Sequence, residues 1–207
     1  MKMNAIAASS VRLDAIALAA SPGVWLAGWA VMRVEGQPQP GLGWTLAHLL
    51  WTVAFVLFAF ASVALYRMLG TREVVARAAL GAALVGAVAL IGQMLIDLGV
   101  GLQSGNRTAM RENYARVFDV PGVELIFFIA GPVLLFVGLL ALSVLAGVRQ
   151  VVSGWSVAVL AFGIALMVAG RELDGWLRGL EGLGGLGLWL ALVVMARGRS
   201  RSRSRSS

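Results

Sequence analysis

Gln93 and Asp97 stand one helical turn apart in LIGQMLIDLGVG (Leu90–Gly101), a stretch otherwise apolar enough to dissolve in hydrocarbon. His48, the only histidine, opens a second such run, HLLWTVAFVLFAFASVAL. A carboxyl group at the centre of a membrane helix costs about 2.5–3.5 kcal/mol, and less toward the interface. It is therefore retained where it faces a partner or a wet cavity rather than lipid. An imidazole beside a carboxyl group is the pairing expected of a site that takes up and releases a proton. His48, Gln93 and Asp97 are accordingly the first candidates for ligand or proton binding, with Glu124 and Arg171 as groups that set the local charge.

Each residue also has a plainer role open to it. His48 can bond a backbone carbonyl, and Asp97 can pair with Arg171 to hold two helices together. Glu124 can cap a helix N-terminus, where the dipole favours a carboxylate. Arg171, Asp174, Arg178 and Glu181 have the three- and four-residue spacing of local pairs at an exposed hairpin.

The elements that position these groups are legible as hydrophobic runs. About 20 apolar residues cross the hydrocarbon at 1.5 Å per residue. Six stretches qualify: Leu13–Met32, Leu42–Tyr66, Val74–Leu102, Val123–Val148, Ser153–Gly170 and Trp176–Ala196. The first carries Asp14 and Ser21-Pro22-Gly23, and the fourth carries Gly131-Pro132, where a kink is expected. Arg12 and Asp14 interrupt what would be the apolar core of a signal peptide, so the first run reads as a retained helix. In the longest connection, Met110, Tyr114, Val117 and Phe118 recur at helical spacing, which predicts a short helix lying on the membrane surface. An irregular loop is the alternative there. The chain is thus read as an all-α membrane protein, six transmembrane helices in an antiparallel bundle, with tails at 1–12 and 197–207.

With alternating spans, His48 and Asp97 enter the membrane from the same side, each roughly 9 Å deep. Glu124, Arg171, Glu172, Asp174, Arg178 and Glu181 fall at that end too, and the other half is nearly all apolar. Gly86, Gln93, Asp97 and Gly101 form one small-and-polar stripe on their helix. Thr45, His48 and Thr52 form another, with Trp44 and Trp51 beside it. Trp25, Trp29, Trp44 and Trp176 fit an aromatic belt at that end, and Tyr66, Trp155 and Trp189 one at the other. Gly179, Gly182 and Gly185 lie at spacings that let helix backbones approach closely. No strand precedes them and no lysine follows, so they are not a phosphate loop.

Composition agrees. Of 207 residues, 59% are hydrophobic and 13% charged, about half the charge usual in soluble domains. No cysteine and one histidine exclude thiolate and multi-histidine metal sites within one chain, so neither metal nor cofactor is expected. Sixteen arginines against one lysine, with abundant Ala, Gly, Val and Leu, suggest a bacterium with a GC-rich genome. Eleven Arg and Lys lie on the side of the termini and six on the other, which places both termini in the cytoplasm and His48 toward the outer face. The tail RGRSRSRSRSS reads as a disordered basic anchor for anionic lipid headgroups, each Arg adding on the order of 1 kcal/mol. Its position next to a span argues against nucleic acid as its partner.

AHLLWTVAFVLFAFASVALYRML and, later, FFIAGPVLLFVGLLALSVLAGVRQVVSGWSVAVLAFGIAL resemble a group of uncharacterised six-span bacterial integral membrane proteins. In that group His-Leu-Leu opens the second helix and a Gly-Pro break marks the fourth. The resemblance covers about the middle two thirds of the chain and implies architecture only. Three functions remain open: proton-linked transport or binding of a small ligand in an outward-facing polar pocket around His48, Asp97 and Glu124; a non-catalytic membrane subunit whose glycine-lined faces bind another copy or another membrane protein; and a membrane-embedded enzyme using Asp97 or Glu124 as general acid on a lipid-soluble substrate. Proline breaks three spans apart, Pro22 and Pro132, hint at the internal repeat of a transporter.

Overall fold

The computed structural model describes residues 2–34, 39–173 and 175–204, with side chains described from 12 to 198 within those ranges. Asp174 and residues 35–38 of the Arg33–Gly41 connection lie outside the described residues, as do the side chains of the basic tail from Arg199 and of Lys2. Among the described residues the fold is entirely helical: α1 Lys2–Val34, α2 Leu42–Leu69, α3 Val74–Gln103, α4 Arg107–Phe118, α5 Gly131–Val148, α6 Gly154–Glu172 and α7 Gly179–Ser204. A π-helical segment, Glu124–Ala130, leads into α5, and a 3-10 turn, Gly175–Arg178, leads into α7. Six of these helical stretches are long and apolar enough to cross a membrane, and they coincide with the six runs read from the sequence. The connection after α3 forms α4, whose N-cap Asn106 accepts from the Ala109 amide at 3.0 Å.

The spans are arranged in a ring. α1 packs on α2 and on α7, α2 on α3, α3 on α5, and α6 on α7, while the closing contact between α5 and α6 is sparse. Phe58 and Leu65 of α2, Leu135, Leu139 and Leu142 of α5, and Leu188 and Leu192 of α7 fill the interior with no exposed surface. Outward faces carry large apolar side chains, such as Val53 and Phe60 of α2 and Val133 and Val137 of α5. A water-exposed helix puts polar residues on that face, so this inversion is the mark of a lipid-facing surface. The ring gives the proline-break repeat no support, because α1–α2 contact is extensive while α5–α6, its counterpart, is the sparsest closure.

Glycine sets the closest approaches. A Cβ on Gly138 of α5 would lie 2.5 Å from the Ala83 amide nitrogen of α3, and one on Gly184 of α7 would lie 2.5 Å from Met167 N of α6. Over Gly182 and Gly185 stand side chains of α1, Trp29 at the first and Trp25 and Leu26 at the second. Nothing stands within 4 Å of the Cβ position of Gly179. It opens the first turn of α7.

Pro22 does not break α1, which continues through it. Pro132 is handled differently. Proline lacks an N–H and its ring crowds the carbonyl four residues earlier. The preceding turns widen into the π-helix, and the Gly131 amide donates to Ile126 O rather than to the residue four back. At the end of the bundle away from α4, Asp14 is buried and paired with Arg67 at 3.2 Å, which resolves the charge that interrupts the first apolar run. Arg149 and Glu73 form a second ion pair at that end.

Candidate functional site

α2 and α3 bring His48 and Asp97 together. His48 Nε2 lies 3.6 Å from Asp97 Oδ2, and both side chains are almost fully buried, at 3% and 6% exposure. On α2, His48 Nδ1 lies 2.7 Å from the Trp44 carbonyl oxygen one turn earlier. A carbonyl only accepts, so the proton of the neutral imidazole sits on Nδ1 and Nε2 turns its lone pair toward the carboxyl group. Two acceptors then face one another across the gap. The arrangement is satisfied by one further proton, carried either as imidazolium beside carboxylate or as carboxylic acid beside imidazole.

The surroundings fix both members. The Trp44 ring lies against the imidazole with centroids 4.0 Å apart, and Trp51 meets it edge-on at 5.0 Å. Trp44 Nε1 donates to the backbone carbonyl of Asp97 at 2.9 Å, clamping α2 to α3 at this level. Gly101, one turn on from Asp97, makes room for the Trp44 ring, which a side chain there would strike. Gln93, one turn before Asp97, is buried, and its Oε1 has no hydrogen-bond partner among the described residues.

The side chain that completes the site comes from α4. Tyr114 donates its hydroxyl to Asp97 Oδ1 at 2.6 Å. Met110, one turn earlier, is buried with Trp44 and Val100 beneath α4. Asn113 donates to Ser104 Oγ at 3.0 Å, tying α4 to the end of α3. α4 therefore covers the His48–Asp97 pair from the aqueous end. The 3.5-fold-like spacing of Met110, Tyr114 and Val117 predicts the buried face; Tyr114, its only polar member, was the available sign of a contact with a buried acid.

The five sequence candidates are thus unequal. His48, Asp97 and Gln93 form one buried cluster. Arg171, on the last turn of α6, acts on Asp97 through its charge but forms no ion pair with it among the described residues. Glu124 is exposed at the start of the π-helical segment and joins neither His48 nor Asp97. Thr45 and Thr52 turn their hydroxyls to the carbonyls of Gly41 and His48 on their own helix, so they add nothing to the site. Glu181 pairs across the bundle rather than locally, with Arg33 at 2.9 Å and Trp29 Nε1 at 3.0 Å. Trp25 and Trp44 are buried, unlike the belt residues they resemble in sequence, whereas Trp176 and Trp155 are exposed.

The Tyr114 phenol is held above the ordinary tyrosine value of 10.0, first by burial and then by the charge of Asp97. It therefore remains a donor throughout the neutral range. Above that ordinary value an unfolded chain releases the phenolic proton while the folded chain keeps it, so stability falls as pH rises there. Tyr114→Phe should remove this part of the alkaline loss, and at neutral pH it should cost about 1–3 kcal/mol for the acceptor left unsatisfied. Thermal melting in detergent across pH reads both effects; an unchanged alkaline slope would contradict the assignment.

Comparison with known protein families, with curated proteins and with solved structures returns no match to this chain.

Proposed function

We propose that this multi-pass membrane protein binds or transports a small ligand in linkage with a proton held between His48 and Asp97. One observation carries the reading: Nε2 and Oδ2 face each other as acceptors in a buried gap, with every other polar atom of the pair turned to a fixed partner. Such a gap takes up one proton without rearranging its neighbours. α4 is the element that has to move for the pair to meet water, because Tyr114 lies across Asp97. In a bacterial cytoplasmic membrane, the excess of Arg and Lys on the side of the termini puts that opening toward the outer face. The basic tail would then meet anionic lipid on the cytoplasmic side.

The competing reading, a subunit that docks through glycine-lined faces, loses its main support. Gly182 and Gly185 are occupied from within the chain by Trp29, Trp25 and Leu26. Glu124, the other general acid suggested for an enzyme, lies outside the His48–Asp97 cluster.

Trp44 offers a direct test, since its ring rests on His48. Protonated imidazole quenches indole emission, so a pH titration of tryptophan fluorescence should show a reversible transition that is missing in Trp44→Phe and in His48→Gln. A transition that survives in both variants, or none in the native chain, would remove the proton from the proposal.

A further inference from the structure

A cleft of about 530 Å³ opens where the ring is weakest, between α5 and α6. That size is within the range of about 300–1,000 Å³ typical of small-molecule sites. Its floor is formed by Trp25, Phe55 and Leu90, from α1, α2 and α3, so it reaches through the ring to the inner wall. Pro132 and Phe136 of α5 and Met167 of α6 form its sides, and Phe128 and Ile129 of the π-helical segment stand at its upper edge. The proline that forces the π turn therefore shapes the same opening. An apolar slot that opens sideways in a bilayer faces acyl chains and not water.

The mouth is charged. Arg171, Glu172 and Glu181 border it. Glu181 is already engaged by Arg33 and Trp29. Arg171 and Glu172, adjacent at the end of α6, form no ion pair among the described residues and set a cation beside an anion over an apolar slot. We infer that the α5–α6 cleft binds one phospholipid with a zwitterionic headgroup, its acyl chain in the slot, its phosphate on Arg171 and its ammonium on Glu172. Arginine matches phosphate through its forked donors. A purely anionic headgroup leaves Glu172 opposed to like charge, and a free fatty acid leaves it without a partner. The inference stands apart from the proton reading, since a lipid can occupy the slot whether or not His48 and Asp97 titrate, and Trp44 emission reports that pair by itself.

The test uses the full chain in detergent with phosphatidylethanolamine, phosphatidylglycerol and free fatty acid of matched chains, counted by native mass spectrometry. Phosphatidylethanolamine should be retained in preference to the other two. Arg171→Gln should lower its retention roughly tenfold, the scale of one lost charge-assisted contact. Glu172→Gln should narrow the preference over phosphatidylglycerol, and Val133→Trp, on an exposed rim position, should reduce retention of all three. A diazirine on the acyl chain should label Phe136 or Met167. Equal retention of the three lipids, retention unchanged in both Arg171→Gln and Val133→Trp, or labels confined to outward residues such as Val53 and Phe60 would overturn the assignment.

Discussion

Asp97→Asn should keep the fold and abolish proton exchange, whereas Asp97→Ala should lose both. The asparagine side chain has the shape of the carboxyl group it replaces. Its oxygen can accept from the Tyr114 hydroxyl, and its amide can donate to the Nε2 lone pair of His48, which the Trp44 carbonyl already orients. The Tyr114 hydroxyl and His48 Nε2 both keep a partner, and no carboxylate remains to hold the imidazolium form. Alanine leaves the Tyr114 hydroxyl and His48 Nε2 facing an empty site. Breaking a buried ionic contact by removing one partner costs about 3–5 kcal/mol. Melting in detergent should therefore place Asp97→Asn close to the native chain and Asp97→Ala far below it, with the Trp44 pH transition absent from both. Equal loss of stability in the two variants would make Asp97 a purely structural acid. A transition retained in Asp97→Asn would move the proton elsewhere.

The six spans were readable because membrane insertion imposes one strong demand, a continuous apolar run, and the sequence meets it with few interruptions. The meeting of His48 with Asp97 was readable for a related reason. Burying a carboxyl group among lipids is so unfavourable that its stripe-mates, Gly86, Gln93 and Gly101, had to share a protected face, and all four are buried. What sequence spacing could not supply was the partner of each helix face. Gly86 meets α5 and Gly101 meets Trp44 of α2, although both belong to one stripe. Glu181 has neighbours at local pairing distance in sequence, yet its ion pair is with Arg33 of α1, because α7 lies against α1 in the ring. Tyr114 lay in a connection whose amphipathic pattern predicted where α4 rests and not which buried atom its hydroxyl reaches. The α5–α6 cleft had no signature at all. It arises from the sparse contact between two helices, and a one-dimensional pattern records only what each helix presents.

The ring itself predicts a sharp contrast among glycine substitutions. Gly86→Ala should unfold the bundle or expel α5 from α3, while Gly179→Ala should be neutral or mildly stabilising. At Gly86 a Cβ would run into the backbone of α5, at Leu135 N and at Gly131 O, which would stand 2.6 Å away. Those atoms belong to a helix main chain and cannot turn aside as a flexible side chain can. Overpacking of this kind costs typically about 1–3 kcal/mol and more where backbone must shift. The shift would travel, because Gly138 meets Ala83 and Ala79 along the same α3–α5 seam. At Gly179 the added methyl group meets nothing within 4 Å, and alanine is favoured over glycine in a helix by about 0.5–1 kcal/mol. Both changes add the same single carbon to glycines in membrane helices, so composition and hydropathy predict equal outcomes. Melting temperatures and folded yield in detergent separate the two views. A Gly86→Ala protein as stable as Gly179→Ala would mean that α3 and α5 do not touch through these residues, and the ring order, with the seam left open between α5 and α6, would have to be redrawn.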